Sequence, residues 1–233
     1  MSVRRLFIAA VLAAPLTLGA QAPVVTAPVT APPGAPPASA LLPLPANGWR
    51  IDKGHSVLEF SIRHFMSRVR GNFRQWQGVI AVDDPTKWEN ATIDVNIATA
   101  SVFTDHERRD DDLRSNNFFA ADSFPSITFK STRIERNGDQ GNIFGMLTIR
   151  GRTKPVVLEG QFLGLQKASS PQGSSERVGF EASVVINRMD YGVAWNRAVE
   201  GGGVMLGDDV KIDIAIEAVR RLGAPAAPAA QAR

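Results

Sequence analysis

Val210-Lys211-Ile212-Asp213-Ile214-Ala215-Ile216-Glu217 puts a branched aliphatic side chain at every second position, with charged or small residues between. Side chains of a strand alternate between two faces, so this stretch reads as a half-buried antiparallel strand. The same period recurs upstream. Leu58, Phe60 and Ile62 alternate with Glu59, Ser61 and Arg63; Ile93, Val95 and Ile97 alternate with Asp94 and Asn96; Ile127 and Phe129 flank Thr128 and Lys130. Further strands are expected over 69–82, 142–150, 155–165 and 178–187, separated by turn text such as Asn137-Gly138-Asp139 and Ser169-Ser170-Pro171-Gln172-Gly173. That makes at least eight strands of roughly eight to fourteen residues.

Many long strands with one apolar face must close, because an open sheet would leave sticky edges. A barrel or a two-sheet sandwich follows, and strand length favours an all-β, eight-stranded or slightly larger antiparallel barrel with one short helix between strands. Ten to twelve residues at ~3.3 Å span roughly 33–40 Å, and eight strands leave room inside for side chains or one small ligand. Asp94, Asn96, Lys130, Lys211 and Asp213 occupy the opposite face, and the chain has a single Tyr. An outer-membrane barrel needs an outward apolar band and aromatic girdles, so this barrel is inside-out relative to a porin. One segment breaks the pattern: Thr104-Asp105-His106-Glu107 reads as a capping box with Thr104 as N-cap, opening a helix to about Leu113. Phe118, Phe119, Phe124 and Pro125 follow. The segment is either a cap over a barrel mouth or an exposed helix docked by its loop aromatics.

The 233 residues suit one domain with appendages. Arg4 and Arg5 precede an apolar run from Leu6 to Leu18, so residues 1–20 read as a secretory signal peptide, too short in its apolar part to span a bilayer. Residues 21–48 carry no charge and eight of the fifteen prolines, a semi-extended Pro/Ala-rich tether. The folded unit is 49–220, and 221–233 is a flexible tail. A periplasmic or secreted location follows. With no Cys, disulfides, thiolate metal sites, a cysteine nucleophile and a lipid-modified cysteine are excluded. Removing residues 1–20, which hold two arginines and no acid, takes the net charge from +3 to +1, which argues against a nucleic-acid partner.

Three histidines bound the chemistry. His55 and His64 fall on one expected strand nine residues apart, on opposite faces and roughly 30 Å from each other, so they cannot share a metal unless a bulge and a bend intervene. His106 lies in a charged run, and Asp110, Asp111 and Asp112 point to different sides of the helix. No nucleophile elbow, zinc pair or phosphate loop is present, and Gly201-Gly202-Gly203 reads as a hinge flanked by Trp195 and Met205. No catalytic or metal residue is assigned. What remains is an apolar cavity. Burying a tail of about fifteen carbons at ~0.8 kcal/mol each is worth on the order of 12 kcal/mol gross. Micromolar binding needs about 8 kcal/mol, within reach after association and ordering costs. Two other readings stand beside a lipid carrier: an enzyme on a lipid-like substrate with His55 or His106 as base, and an interaction module for a membrane redox partner.

The run Trp49-x-Ile51-Asp52-x-x-His55-Ser56-x-Leu58-x-Phe60, continuing through His64, Val69, Gly71 and Phe73, resembles the opening of the YceI-like, polyisoprenoid-binding family of exported bacterial proteins. Three further blocks agree in order: Arg109-Asp110-x-x-Leu113-Arg114-Ser115 with Phe118-Phe119 and Phe124-Pro125; Gly145-x-Leu147-Thr148-Ile149-Arg150-Gly151-x-Thr153-x-Pro155-Val156; and Ile186-Asn187-Arg188-x-Asp190-Tyr191-Gly192. The resemblance implies a lipocalin-like barrel holding an isoprenoid or fatty-chain amphiphile without chemistry of its own, and no cofactor besides that lipid. Asp112, Asn117 and Ala120 depart from the family pattern, where His, Asp and an acid are common, so head-group preference is expected to differ if those positions touch one. Phe60, Ile62 and Phe129 become expected pore-lining residues, joined by Leu58, Val95, Ile97 and Leu147 and by Phe180, Val184 and Ile186 on the apolar strand faces. Phe118, Phe119 and Trp195 are expected at a mouth. His55, Arg109 and Arg188 are head-group or structural candidates. The expected partner is an amphiphilic lipid, with transient contact with a membrane surface and a dimeric state left open.

Overall fold

Among the described residues, eleven antiparallel strands bond edge to edge in one sheet, and pairing of the first strand, 48–51, with the last, 206–222, closes it. The structure is a computed structural model describing residues 41–170, 173–198 and 204–222. The expected signal peptide, most of the tether, the Gly201–Gly203 hinge and all but the start of the tail lie outside the described residues.

The eleven strands make eight staves, because three staves are bent. β1 (Gly48–Ile51) and β2 (Val57–His64) both run along β11 (Leu206–Leu222), with a 3-10 turn over Lys53–His55 between them. β3 (Ser67–Phe73) and β4 (Trp76–Ala81) form the next stave, broken at Arg74-Gln75, in place of the single strand expected over 69–82. β5 (Thr92–Ala98) and β6 (Val102–Phe103) form the third, broken by the turn Thr99–Ser101. β7 (Ser126–Asn137), β8 (Gln140–Ile149), β9 (Arg152–Ser170) and β10 (Gly173–Asn187) complete the wall.

Serine hydroxyls repair the ladder at these breaks. Ser56 Oγ accepts from Glu217 N at 2.9 Å, where β1 has ended and β2 has not begun. Ser101 Oγ accepts from Gln75 N at 3.0 Å, and Ser131 Oγ, at a bulge in β7, accepts from Ile93 N at 2.7 Å. Each satisfies a backbone donor that a bent strand would leave unpaired.

The bend at Asp52 corrects one expectation: His55 sits in the 3-10 turn, not on the strand that carries His64. The helix also starts later than expected. α1 spans Glu107–Arg114 with His106, not Thr104, as N-cap; the His106 ring accepts from Arg109 N at 3.3 Å. Asp105 holds φ +59, which no helix continues through, and Thr104 N–H and hydroxyl are both taken by Asp110 Oδ1. Strands run longer than expected, up to 19 residues in β9, and β11 continues through Arg221 and Leu222 into the expected tail. Leu42, in the expected tether, is docked on the wall, its N–H donating to Gln77 Oε1 at 3.0 Å. Asn96, read as outward and polar, is fully buried with neither amide atom hydrogen-bonded.

Candidate functional site

Inward positions of the staves are almost wholly aliphatic and aromatic, but they do not fill the barrel. They enclose a cavity of about 390 Å³, within the roughly 300–1,000 Å³ common for small-molecule sites. Its lining on β11 runs from Leu206 to Ile216, ten steps or ~33 Å of strand, which a tilt of about 40° reduces to roughly 25 Å of depth. The middle is bounded by side chains such as Leu58, Phe60, Val95, Phe129, Leu147 and Val184, with polar groups confined to the two ends.

At the α1 end, His64, Arg109, Asp112 and Arg188 reach the lining, beneath Phe118, Phe119 and Trp195. Phe118 packs on Trp195 with ring centroids 5.3 Å apart, and Phe119 packs edge-on against Phe73 at 5.8 Å. α1 has little apolar surface, and polar bonds anchor it. Arg114 donates to the carbonyls of Ala100 and Val102 at 2.8 and 3.1 Å, and Arg109 donates to the hydroxyl and carbonyl of Thr104, both at 2.7 Å. Asp112 accepts from Asn117 Nδ2 at 3.0 Å, so two of the positions that depart from the family pattern bond to each other at this mouth. Arg188 is buried and spends its guanidinium on the carbonyls of Gly207, Val193 and Trp195, with Asp208 at 3.3 Å. Burial draws its pKa down and Asp208 opposes that. Tyr191 is buried beside it, and desolvation, with Asp190 adding to it, pushes the phenol up to about 12.

At the other end Trp88 stacks among Phe180 at 4.8 Å, Trp49 at 5.7 Å and Phe162 at 6.0 Å. Arg136, Asp139, Gln140 and Gln161 border the cavity there. Beyond Trp49 a buried carboxylate, Glu176, accepts from Arg220 and pairs with Lys167 at 3.2 Å, while the Arg220 guanidinium lies 4.5 Å over the Trp49 ring. Burial opposes ionisation of Glu176, but the hydrogen bonds and charges of Arg220 and Lys167 outweigh it, and its pKa lies below the usual carboxylate value.

Of the residues singled out from sequence, Leu58, Phe60, Ile62, Val95 and Ile97 line the cavity, as do Phe129, Leu147, Phe180, Val184 and Ile186 and the mouth residues Phe118, Phe119 and Trp195. Arg109 and Arg188 reach its lining; His55 does not. The His55 ring is exposed on the outer surface, 3.0 Å from Asp52, whose carboxyl it holds below its usual pKa. Asp52, His55 and Glu217 offer ligand atoms within 4.8 Å of one another, but the Arg177 guanidinium already contacts both carboxylates and supplies the positive charge a metal would bring. Trp88, in turn text without periodicity, and Phe162, near a register shift of β9 against β10, are lining residues that alternation did not reveal.

The profile of the YceI-like domain matches residues 49–218. A UPF0312 protein of Staphylococcus aureus strain N315 is 38% identical over 168 residues, covering 71% of this chain and 94% of its own. The crystal structure of a Campylobacter jejuni YCEI protein superposes with a TM-score of 0.58 at 32% identity, covering 69% of this chain and 91% of that one. A polyisoprenoid binding domain from Saccharophagus degradans shares the fold with a TM-score of 0.52 at 15% identity, over 76% and 98% of the two chains. Closed barrel, α1 and matched residues agree, and the chain belongs to the YceI-like family.

Proposed function

We propose that this protein is exported and holds one polyisoprenoid, isoprenoid quinone or fatty-chain amphiphile in its barrel, for transport, storage or protection and without catalysis. The observation that carries this is the cavity: about 390 Å³, apolar along its length and polar only at its ends, which matches a long tail with a small polar head. The polyisoprenoid binding domain that shares the fold supports the ligand class. The histidines support a non-catalytic role, since among the three only His64 touches the cavity, His106 caps α1 and His55 pairs with Asp52 outside the barrel.

Titration with cis-parinaric acid, which fluoresces when its chain leaves water, tests the reading. The wild type is expected to take it up with micromolar affinity or better. Ile62→Asp places a carboxylate in the apolar wall and Val184→Trp fills the cavity; each is expected to weaken uptake at least about tenfold, a change of ~1.4 kcal/mol. Uptake unchanged in a folded Val184→Trp protein would place the binding site elsewhere.

A further inference from the structure

The turn between β2 and β3, Phe65-Met66, stands at the rim of the α1-side mouth. His64 and Met205 both line the cavity, and Phe65 N–H donates to Met205 O at 2.7 Å. The apolar side chains of this rim face water: Met66 is 82% exposed, Phe65 50%, and Val204, beside Met205, 55%. Phe65 also holds φ +50. Glycine or asparagine fills that left-handed region at lower cost, and a bulky aromatic in it is an outlier. Neither burial nor turn geometry accounts for phenylalanine here.

The outer faces of the two strands add charge. Val69 and Ile62 point into the cavity, so Arg63, Arg68 and Arg70 lie on the outside, all exposed. Arg63 sits directly opposite Arg68 in the ladder, and like charges so placed destabilise a sheet. Among the described residues no carboxylate lies within 4 Å of any of the three; Arg63 Nε donates only to Phe65 O, at 3.1 Å. Among the described residues, then, a cationic collar without ion-pair partners stands behind an exposed apolar tip.

We propose that this turn is a membrane anchor: Phe65, Met66 and Val204 enter the interfacial layer of a bilayer carrying anionic lipid, and Arg63, Arg68 and Arg70 meet its phosphates. Both components are those of interfacial docking, apolar area for the acyl boundary and cations for the negative surface. Docked in this way, the mouth containing His64, Arg109 and Asp112 faces the membrane, and a lipid chain passes between bilayer and barrel with little exposure to water. Docking itself is independent of what fills the barrel; only this consequence rests on the lipid-carrier reading.

Flotation with phosphatidylcholine vesicles, with and without phosphatidylglycerol, tests the proposal. The wild type is expected to float with phosphatidylglycerol vesicles, to stay behind with phosphatidylcholine alone, and to be released by salt. Arg63→Gln and Arg68→Gln are each expected to weaken the partitioning about fivefold, and Met66→Asp to abolish it. Phe65→Trp is expected to give a blue-shifted emission on docking. Uptake of cis-parinaric acid from ethanol stays as in the wild type for all four variants, so loss of vesicle binding is separable from loss of the cavity site. Wild-type protein that ignores anionic vesicles overturns the proposal, as do variants that float equally well or a tip that captures a soluble protein in place of vesicles.

Discussion

Residue scale is where the buried polar groups of the α1 end can be read out. Tyr191 is the single tyrosine of the chain, so absorbance near 295 nm reports it alone. Its raised pKa, pushed up to about 12, means the folded protein keeps a proton that the unfolded chain loses near 10. Stability attached to Tyr191 is therefore present below pH 10 and falls as pH rises from about 10 to 12. A pH titration is expected to place the phenol near 12 in the folded protein and near 10 in urea. A folded-state value near 10 would mean that the wall around Tyr191 admits water. Arg188 at the same end was a head-group candidate from sequence, but three carbonyls and Asp208 occupy it, and its visible work is tying the end of β10 to the loop beneath Trp195. A sequence shows that an arginine is present; only the fold shows how many carbonyls converge on it.

At the scale of elements, the end of the barrel beyond Trp49 depends on Glu176, Arg220 and Lys167, which face one another across β9, β10 and β11. Since Glu176 has a depressed folded pKa, its contribution is full above the ordinary carboxylate range and is lost as pH falls through the folded value. Glu176→Gln is expected to lower stability by about 1.5–3 kcal/mol at neutral pH, the worth of hydrogen bonds to a charged group, with the difference shrinking below about pH 4, as measured by urea unfolding across pH. A constant difference at every pH would show that the carboxylate charge is not what holds this end. Strands such as β2, β5 and β11 were legible because each is a simple half-buried ladder whose period survives in the sequence. The bends were not, because their repair is non-local: Ser56 is matched to Glu217, 161 residues away. The start of α1 was not legible because Thr104 suits an N-cap better than His106 does, and only the fold shows Thr104 donating to Asp110 with Asp105 at φ +59 after it.

For the whole molecule, closing eight staves around side chains that do not meet in the middle leaves the apolar cavity. Alternation is enough to find lining residues on β2, β5, β7, β8 and β10, because inward phase is a property of single strands, whereas Phe118, Phe119 and Trp195 show themselves as aromatics clustered in loops. It could not place Trp88 or Phe162, which reach the cavity from a turn and past a register shift. Nor could it show the collar of Arg63, Arg68 and Arg70, which becomes one surface only when β2 and β3 pair. The most direct test of the central claim is mass spectrometry of the protein purified from its native cells under non-denaturing conditions, followed by organic extraction. A barrel that carries lipid yields a stoichiometric isoprenoid or fatty-chain species, and Val184→Trp loses it. Protein recovered without lipid, and refusing every quinone, polyprenol and fatty acid offered to it, would contradict that claim.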